Sequence, residues 1–120
     1  MATAFKNYTA QSIGTTAYYV ISQNSGGFNG GITSLTSGKA VIMVGCMVSN
    51  RTTSSIAVDV AHYQNAGSNT TYLCKSLAIP AGDAIEVVQG KIVLVGSDDI
   101  SVVSDTASSV DVVLSILFDA

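Results

Sequence analysis

Charge is what this 120-residue chain has least of: Asp, Glu, Lys and Arg together make 11% of it, against about 25% in an ordinary soluble domain. Five basic residues, scattered and outnumbered to a net charge of −3, exclude the concentrated positive surface that displaces counterions from DNA or RNA. No nucleic-acid partner is expected. Histidine and proline occur once each, and tryptophan not at all. A lone His62 beside two cysteines falls short of an ordinary zinc ligand set, and no G-x-S-x-G elbow supplies a serine nucleophile for it. Long apolar runs are missing too. The longest, Ala40 to Val48, covers nine residues, too few to cross a bilayer as a helix, so no membrane partner is expected. The opening MATAFKNYTAQ has no apolar segment of signal-peptide length, which predicts synthesis and folding in a cytoplasm.

In that compartment Cys46 and Cys74 are expected as buried free thiols acting as small hydrophobes. A disulfide would require their two strands to face each other. With 48% of residues apolar and so few charged, some apolar surface is expected to meet another chain. The composition is that of a subunit of an assembly, a homo-oligomer.

What the chain does have is a β-branched run followed by a turn about every ten residues, with almost no helical spacing. That pattern predicts an all-β, antiparallel β-sandwich of jelly-roll or Ig-like type with about eight strands. Residues 1–14 read as an N-terminal arm and residues 15–120 as a single sandwich domain. Strands are expected at Thr15 to Gln23, Lys39 to Asn50, Ser54 to Gln64 and Thr70 to Ile79. Four more follow, in DAIEVVQ, KIVLV, DISVVSD and VDVVLSILF. Alternation places Ile56, Val58 and Val60 on one face, and Val110, Val112, Leu114, Ile116 and Phe118 on another. The stretch from Ala40 to Val48 is apolar on both faces. Its outer side is expected to be covered by a loop, the arm or a neighbouring subunit.

The segment LAIPAGDAIEVVQGKIVLVGSDD, Leu77 to Asp99, concentrates four of the eight acidic residues, yet each special residue has a turn to make. IPAG suits a type I turn with Pro80 second and Gly82 closing it. Gln89-Gly90 suits a two-residue hairpin loop, and GSDD a reversal with Asx hydrogen bonding. Asp98 and Asp99 lack calcium-loop spacing and read as turn-forming, solubilising residues. His62 reads as a histidine at a sheet or subunit border, with a pH-sensitive contact as the alternative. SGGFNGG and TSGKA depart from the phosphate-binding pattern, since no G-x-x-x-x-G-K-[ST] precedes a helix. Three Asn-x-Thr sequons, at Asn7, Asn50 and Asn69, read as chance matches. No catalytic residue, cofactor or metal is assigned. The candidate interface residues are Val41, Met43, Met47, Tyr18, Tyr19 and Phe28, with a glycan platform of Tyr18, Tyr19, Tyr63, Tyr72 and Phe28 as a further alternative.

From Thr70 to Asp119 the chain carries, in order, the IPAG turn, the GKIVL strand, an acidic turn and the closing SSVDVVLSIL strand. VIMVGCMVSNRTTSSIAVDV adds a weaker likeness. In these motifs the chain resembles small virion proteins of tailed bacteriophages, many of them from marine and cyanobacterial phages. The resemblance implies a non-enzymatic β-sandwich located in the virion: a capsid decoration or cement subunit, or alternatively a neck, tail or baseplate component. Its partners would be further copies of itself and other virion proteins, such as the major capsid protein.

Overall fold

The computed structural model describes residues 4–21, 40–64, 69–95 and 98–118. These residues form nine strands and no helix: β1 (Ala4–Ile13), β2 (Tyr18–Ile21), β3 (Val41–Asn50), β4 (Ile56–Gln64), β5 (Asn69–Ile79), β6 (Ala84–Glu86), β7 (Ile92–Leu94), β8 (Asp99–Ser104) and β9 (Val110–Phe118). Sheet A has the order β1-β9-β3-β6, with β7 also on β3, and sheet B the order β2-β8-β4-β5. Every pairing is antiparallel. The expected antiparallel sandwich is therefore the fold.

Period-two alternation builds the core. Val112, Leu114 and Ile116 of β9 are at most 1% exposed, as are Val58 and Val60 of β4 and Val102 of β8. They join one hydrophobic cluster drawn from both sheets. Each such buried side chain contributes about 1.5–3 kcal/mol of transfer free energy.

Four local readings need correction. The first concerns the arm: residues 4–13 are β1, paired along β9 from Ala4↔Phe118 to Ile13↔Val110. Its sequence, with Asn7 and Thr9 on one side and Tyr8 and Ala10 on the other, has no strong apolar alternation to announce a strand. Backbone pairing to β9 makes it one, and Tyr8 and Ala10 pack against the core.

The second concerns the apolar run. Against β9 the register of β3 slips between Met43↔Ile116 and Gly45↔Ser115, so Val44 is an inserted residue. A bulge reverses which alternate residues face inward. Val41 and Met43 point inward before it, Cys46 and Val48 after it, and all four are 0% exposed. Val41 and Met43 are thus core residues and present nothing to a partner, whereas Met47 faces outward.

The third and fourth are turns. β6 and β7 both run antiparallel to β3 on the same edge, Glu86 opposite Met47 and Ile92 opposite Met43. They are one edge strand broken at residues 87–91, so Gln89-Gly90 makes no hairpin, although Gly90 does take a positive φ of 105°. The Glu86 carboxylate fills the break, accepting the N–H of Cys46 at 2.5 Å and of Val88 at 3.1 Å. The proline turn starts one residue later than expected. Asp83 N–H donates to Pro80 C=O at 3.1 Å, and Gly82 sits third with φ 71°, the glycine position of a type II turn.

Two further bulges share one design. Between Ala10 and Ile13 the register against β9 shifts, leaving Ser12 at φ 58°; its N–H donates to Asp111 at 3.0 Å, and Asp111 pairs with Arg51 at 3.2 Å. On β5, Ser76 at φ 53° donates its N–H to Asp59 at 2.6 Å, and Asp59 pairs with Lys75 at 3.0 Å. In each case a carboxylate satisfies the amide that the bulge removes from the ladder.

Candidate functional site

Register fixes what sheet A turns outward. Phe5 opposes Leu117, Leu117 opposes Ile42, and Ile42 opposes Val93, an apolar row crossing β1, β9, β3 and β7. Two rows further along the strands, Thr9, Val113, Met47 and Glu86 lie side by side. Phe5 is 79% exposed, Val93 56%, Val113 50% and Met47 46%. Between the rows, Phe5, Asn7, Val44 and Ser115 line an open depression of about 220 Å³. Large apolar side chains this exposed, and this contiguous, make this face the candidate interaction surface.

Charge on this face is sparse. Among the described residues its carboxylates are Glu86 and Asp111, and both are occupied, Glu86 by two backbone amides and Asp111 by the Ser12 amide and Arg51, while the exposed Lys91 stands just before β7 at the edge of the sheet. Neither carboxylate is left free to select a charged ligand.

On the face of sheet B away from the core the residues differ, and Ser101 and Ala61 there are 2% exposed. Tyr19 opposes Ser101, Ser101 opposes Ala61, and Ala61 opposes Tyr72, while Asp99 opposes Tyr63 in the next row. The rings of Tyr19 and Tyr63 lie 5.7 Å apart at 41°, and Ser101 Oγ donates to the Tyr63 hydroxyl at 3.2 Å. Burial, followed by the neighbouring Tyr63 and Asp99, pushes the Tyr19 phenol up. Tyr72 is half exposed, with the Lys75 ammonium 4.8 Å from its ring centre. Burial works to raise the Asp59 carboxyl, but the Ser76 amide and Lys75 outweigh it and hold it below the usual range.

At the end of sheet B, His62 Nε2 sits buried 3.3 Å from Asp98 Oδ2, an ion-pair separation without hydrogen-bond alignment. Asp98 Oδ2 also accepts the Val95 N–H at 3.0 Å. Asp98 and Asp99 are 3% and 4% exposed, so neither is the solubilising surface residue that the sequence predicts. Asp98 does close a turn, through its amide on Val95 C=O at 3.2 Å. Among the described residues no group of three His, Cys, Asp or Glu side chains comes together.

The remaining candidates are dispersed. Tyr18 is half-buried, in register with the core residue Val102, while Tyr19 lies on the opposite face of the sheet, so the five-residue aromatic platform does not assemble from this pair. Phe28 lies outside the described residues. Cys46 and Cys74 are free thiols. Burial above all, then Glu86 and Cys74, drives the Cys46 thiol up to about 12, which makes it inert at neutral pH. Of the sequons, Asn50 is 2% exposed and its amide donates to the carbonyls of Ser54, Ile79 and Pro80, so it is no glycan acceptor in the folded chain. Sequence reasoning missed Phe5 and Val93 as outward residues. The apolar Val113 and Leu117 on the outer set of β9 were the available signal.

Comparison with family models, with curated proteins and with solved structures finds no match.

Proposed function

We propose that the chain is a non-enzymatic structural subunit of a bacteriophage virion, a capsid decoration or cement protein that binds the particle as a symmetric oligomer. The observation that carries this reading is the apolar row Phe5, Leu117, Ile42 and Val93 across the outer face of sheet A. A chain with 11% charged residues and this face open gains free energy by burying it against another protein, since transfer of apolar surface from water is the dominant favourable term in association. The resemblance of Thr70 to Asp119 to small phage virion proteins supports the choice of particle. Its mechanism is binding alone: neutral and apolar surface removed from water, with rigid sheets presenting it.

A neck, tail or baseplate position in the same virion would use the same face. Quantitative mass spectrometry of intact particles separates the two: hundreds of copies per particle place the chain on the capsid, a small multiple of the tail symmetry on the tail axis. Adding purified chain to particles that lack it tests the reading itself. Binding at saturating stoichiometry is expected, and failure to bind would overturn it. A glycan-binding module is the less supported alternative. The tilted, half-buried Tyr19–Tyr63 pair offers no flat ring to a sugar, and Lys75 already lies over Tyr72.

A further inference from the structure

We infer that the outer face of sheet A takes a second copy of this chain, packed sheet to sheet about a two-fold axis. The inference rests on the proposed assembly role and names the partner for that face.

Size is the first argument. Four strands at about 4.8 Å spacing and about ten residues at about 3.4 Å rise give a face of order 650 Å² in projection. A corrugated surface has more accessible area than its projection, so complete coverage approaches the roughly 800 Å² per partner of a stable interface.

Electrostatics is the second. A basic, acidic or nucleic-acid partner is chosen by complementary charge, and both carboxylates on this face are already engaged by backbone amides and Arg51. An uncharged, apolar surface fits, and the described part of the molecule offers one such surface: this face itself. The outer face of sheet B carries Tyr19, Ser101, Asp59 and Lys75 and is not its complement.

The third argument weakens the main competing mode. Exposed sheet edges recruit other chains by strand addition unless they are blunted. Here β1 bulges at Ser12, β5 bulges at Ser76 beside Lys75, and the β6–β7 edge is broken and plugged by Glu86. The remaining edge, β2, is four residues long. These interruptions shorten the edges, the regular run Ala4 to Ala10 of β1 being the longest left, and favour face-to-face packing, for which a two-fold axis is the closed solution for one self-complementary patch.

Sedimentation equilibrium on the purified full chain tests this. A concentration-dependent dimer is expected, with Val93→Lys and Val113→Lys each weakening its Kd roughly a hundredfold or more, because each buries an unpaired ammonium in the contact. Thr70→Lys, on sheet B, leaves the Kd unchanged. Methyl NMR of the unaltered chain gives an independent reading that no folding defect can confuse: the signals of Val93, Val113 and Leu117 shift with concentration. A chain that stays monomeric, or a dimer indifferent to both lysines while circular dichroism shows them folded, overturns the inference. Particle binding keeps the two readings apart. A monomer that still adds to particles removes the two-fold contact and leaves the virion role, whereas a dimer that fails to add does the reverse.

Discussion

Sheet A turns Phe5, Ile42, Met47, Val93 and Val113 outward, whereas the face of sheet B away from the core carries the half-buried Tyr19 and Tyr63, the buried Ser101 and the Asp59–Lys75 pair. Both sheets contribute alternating Val, Ile and Leu to one core, so folding itself does not require the difference. What separates them is how each outer surface is satisfied. Sheet B settles its outer polar groups internally, through the Ser101–Tyr63 hydrogen bond and the carboxylate on the Ser76 amide. Sheet A leaves apolar surface in water. On the proposed reading, assembly falls to the side of sheet A, while sheet B satisfies its own polar groups.

The largest expected effect comes from loosening the joint that holds the two surfaces in fixed relation. Asn50, at the end of β3 in sheet A, reaches Ile79 and Pro80 at the end of β5 in sheet B, and its Oδ1 accepts from the Thr52 N–H and hydroxyl. Asn50→Ala orphans several buried groups and should lower the unfolding free energy by about 3 kcal/mol in urea titration. A cost below about 1 kcal/mol would show that the sheets hold their relation without it.

Paired conservative changes sharpen the contrast next. Tyr63→Phe takes the acceptor from the Ser101 hydroxyl and is expected to cost about 1 kcal/mol of stability without altering self-association. Val113→Thr, on the other sheet, should stay within about 0.5 kcal/mol of the parent in stability while weakening self-association. If both changes acted on stability alone, the two outer surfaces would be equivalent.

Acid should act on sheet B through Asp59. Its folded-state carboxyl is held below the ordinary value of 3.8, so its stabilising contribution is complete above that value and is lost as pH falls through the lower folded one. Asp105, held down by the Ala57 amide and then the Thr106 hydroxyl, works in the same direction. Thermal melts from about pH 5 downward should show declining Tm, and Asp59→Asn should flatten part of that decline. An unchanged slope in the variant would remove Asp59 from the account.

The smallest effect is chemical. A thiol reagent applied near pH 8 should label the half-buried Cys74 of sheet B ahead of the buried Cys46 of sheet A, which reacts only when the chain opens. Equal rates would mean that Cys46 is not enclosed as the core geometry requires.

Much of the fold was legible because alternation is a local signal: eight of the strands announce themselves by β-branched runs between turn residues. β1 did not, since an edge strand with Asn7, Thr9 and Gln11 on one side is built by its partner β9 and not by its own pattern. The candidate surface was legible only in part. The run from Ala40 to Val48 correctly pointed to a strand apolar on both sides, but the bulge at Val44 exchanged inner and outer residues, sending Val41 and Met43 into the core. Asp98 and His62, separated by three strands in sequence, meet at the end of sheet B, a proximity that no local motif encodes.

The amino-acid sequence by itself determined the all-β class, the inner faces of β4 and β9, and a scarcity of charge that leaves apolar surface exposed, because periodicity and composition are properties of a chain before it folds. Tertiary structure decided which apolar residues are outside. Bulges at Ser12, Val44 and Ser76 reset the alternation, and the lateral order of strands aligned Phe5, Leu117, Ile42 and Val93 from four distant segments. A one-residue slip turns a strand over, and the register that settles it lies in the neighbouring strand.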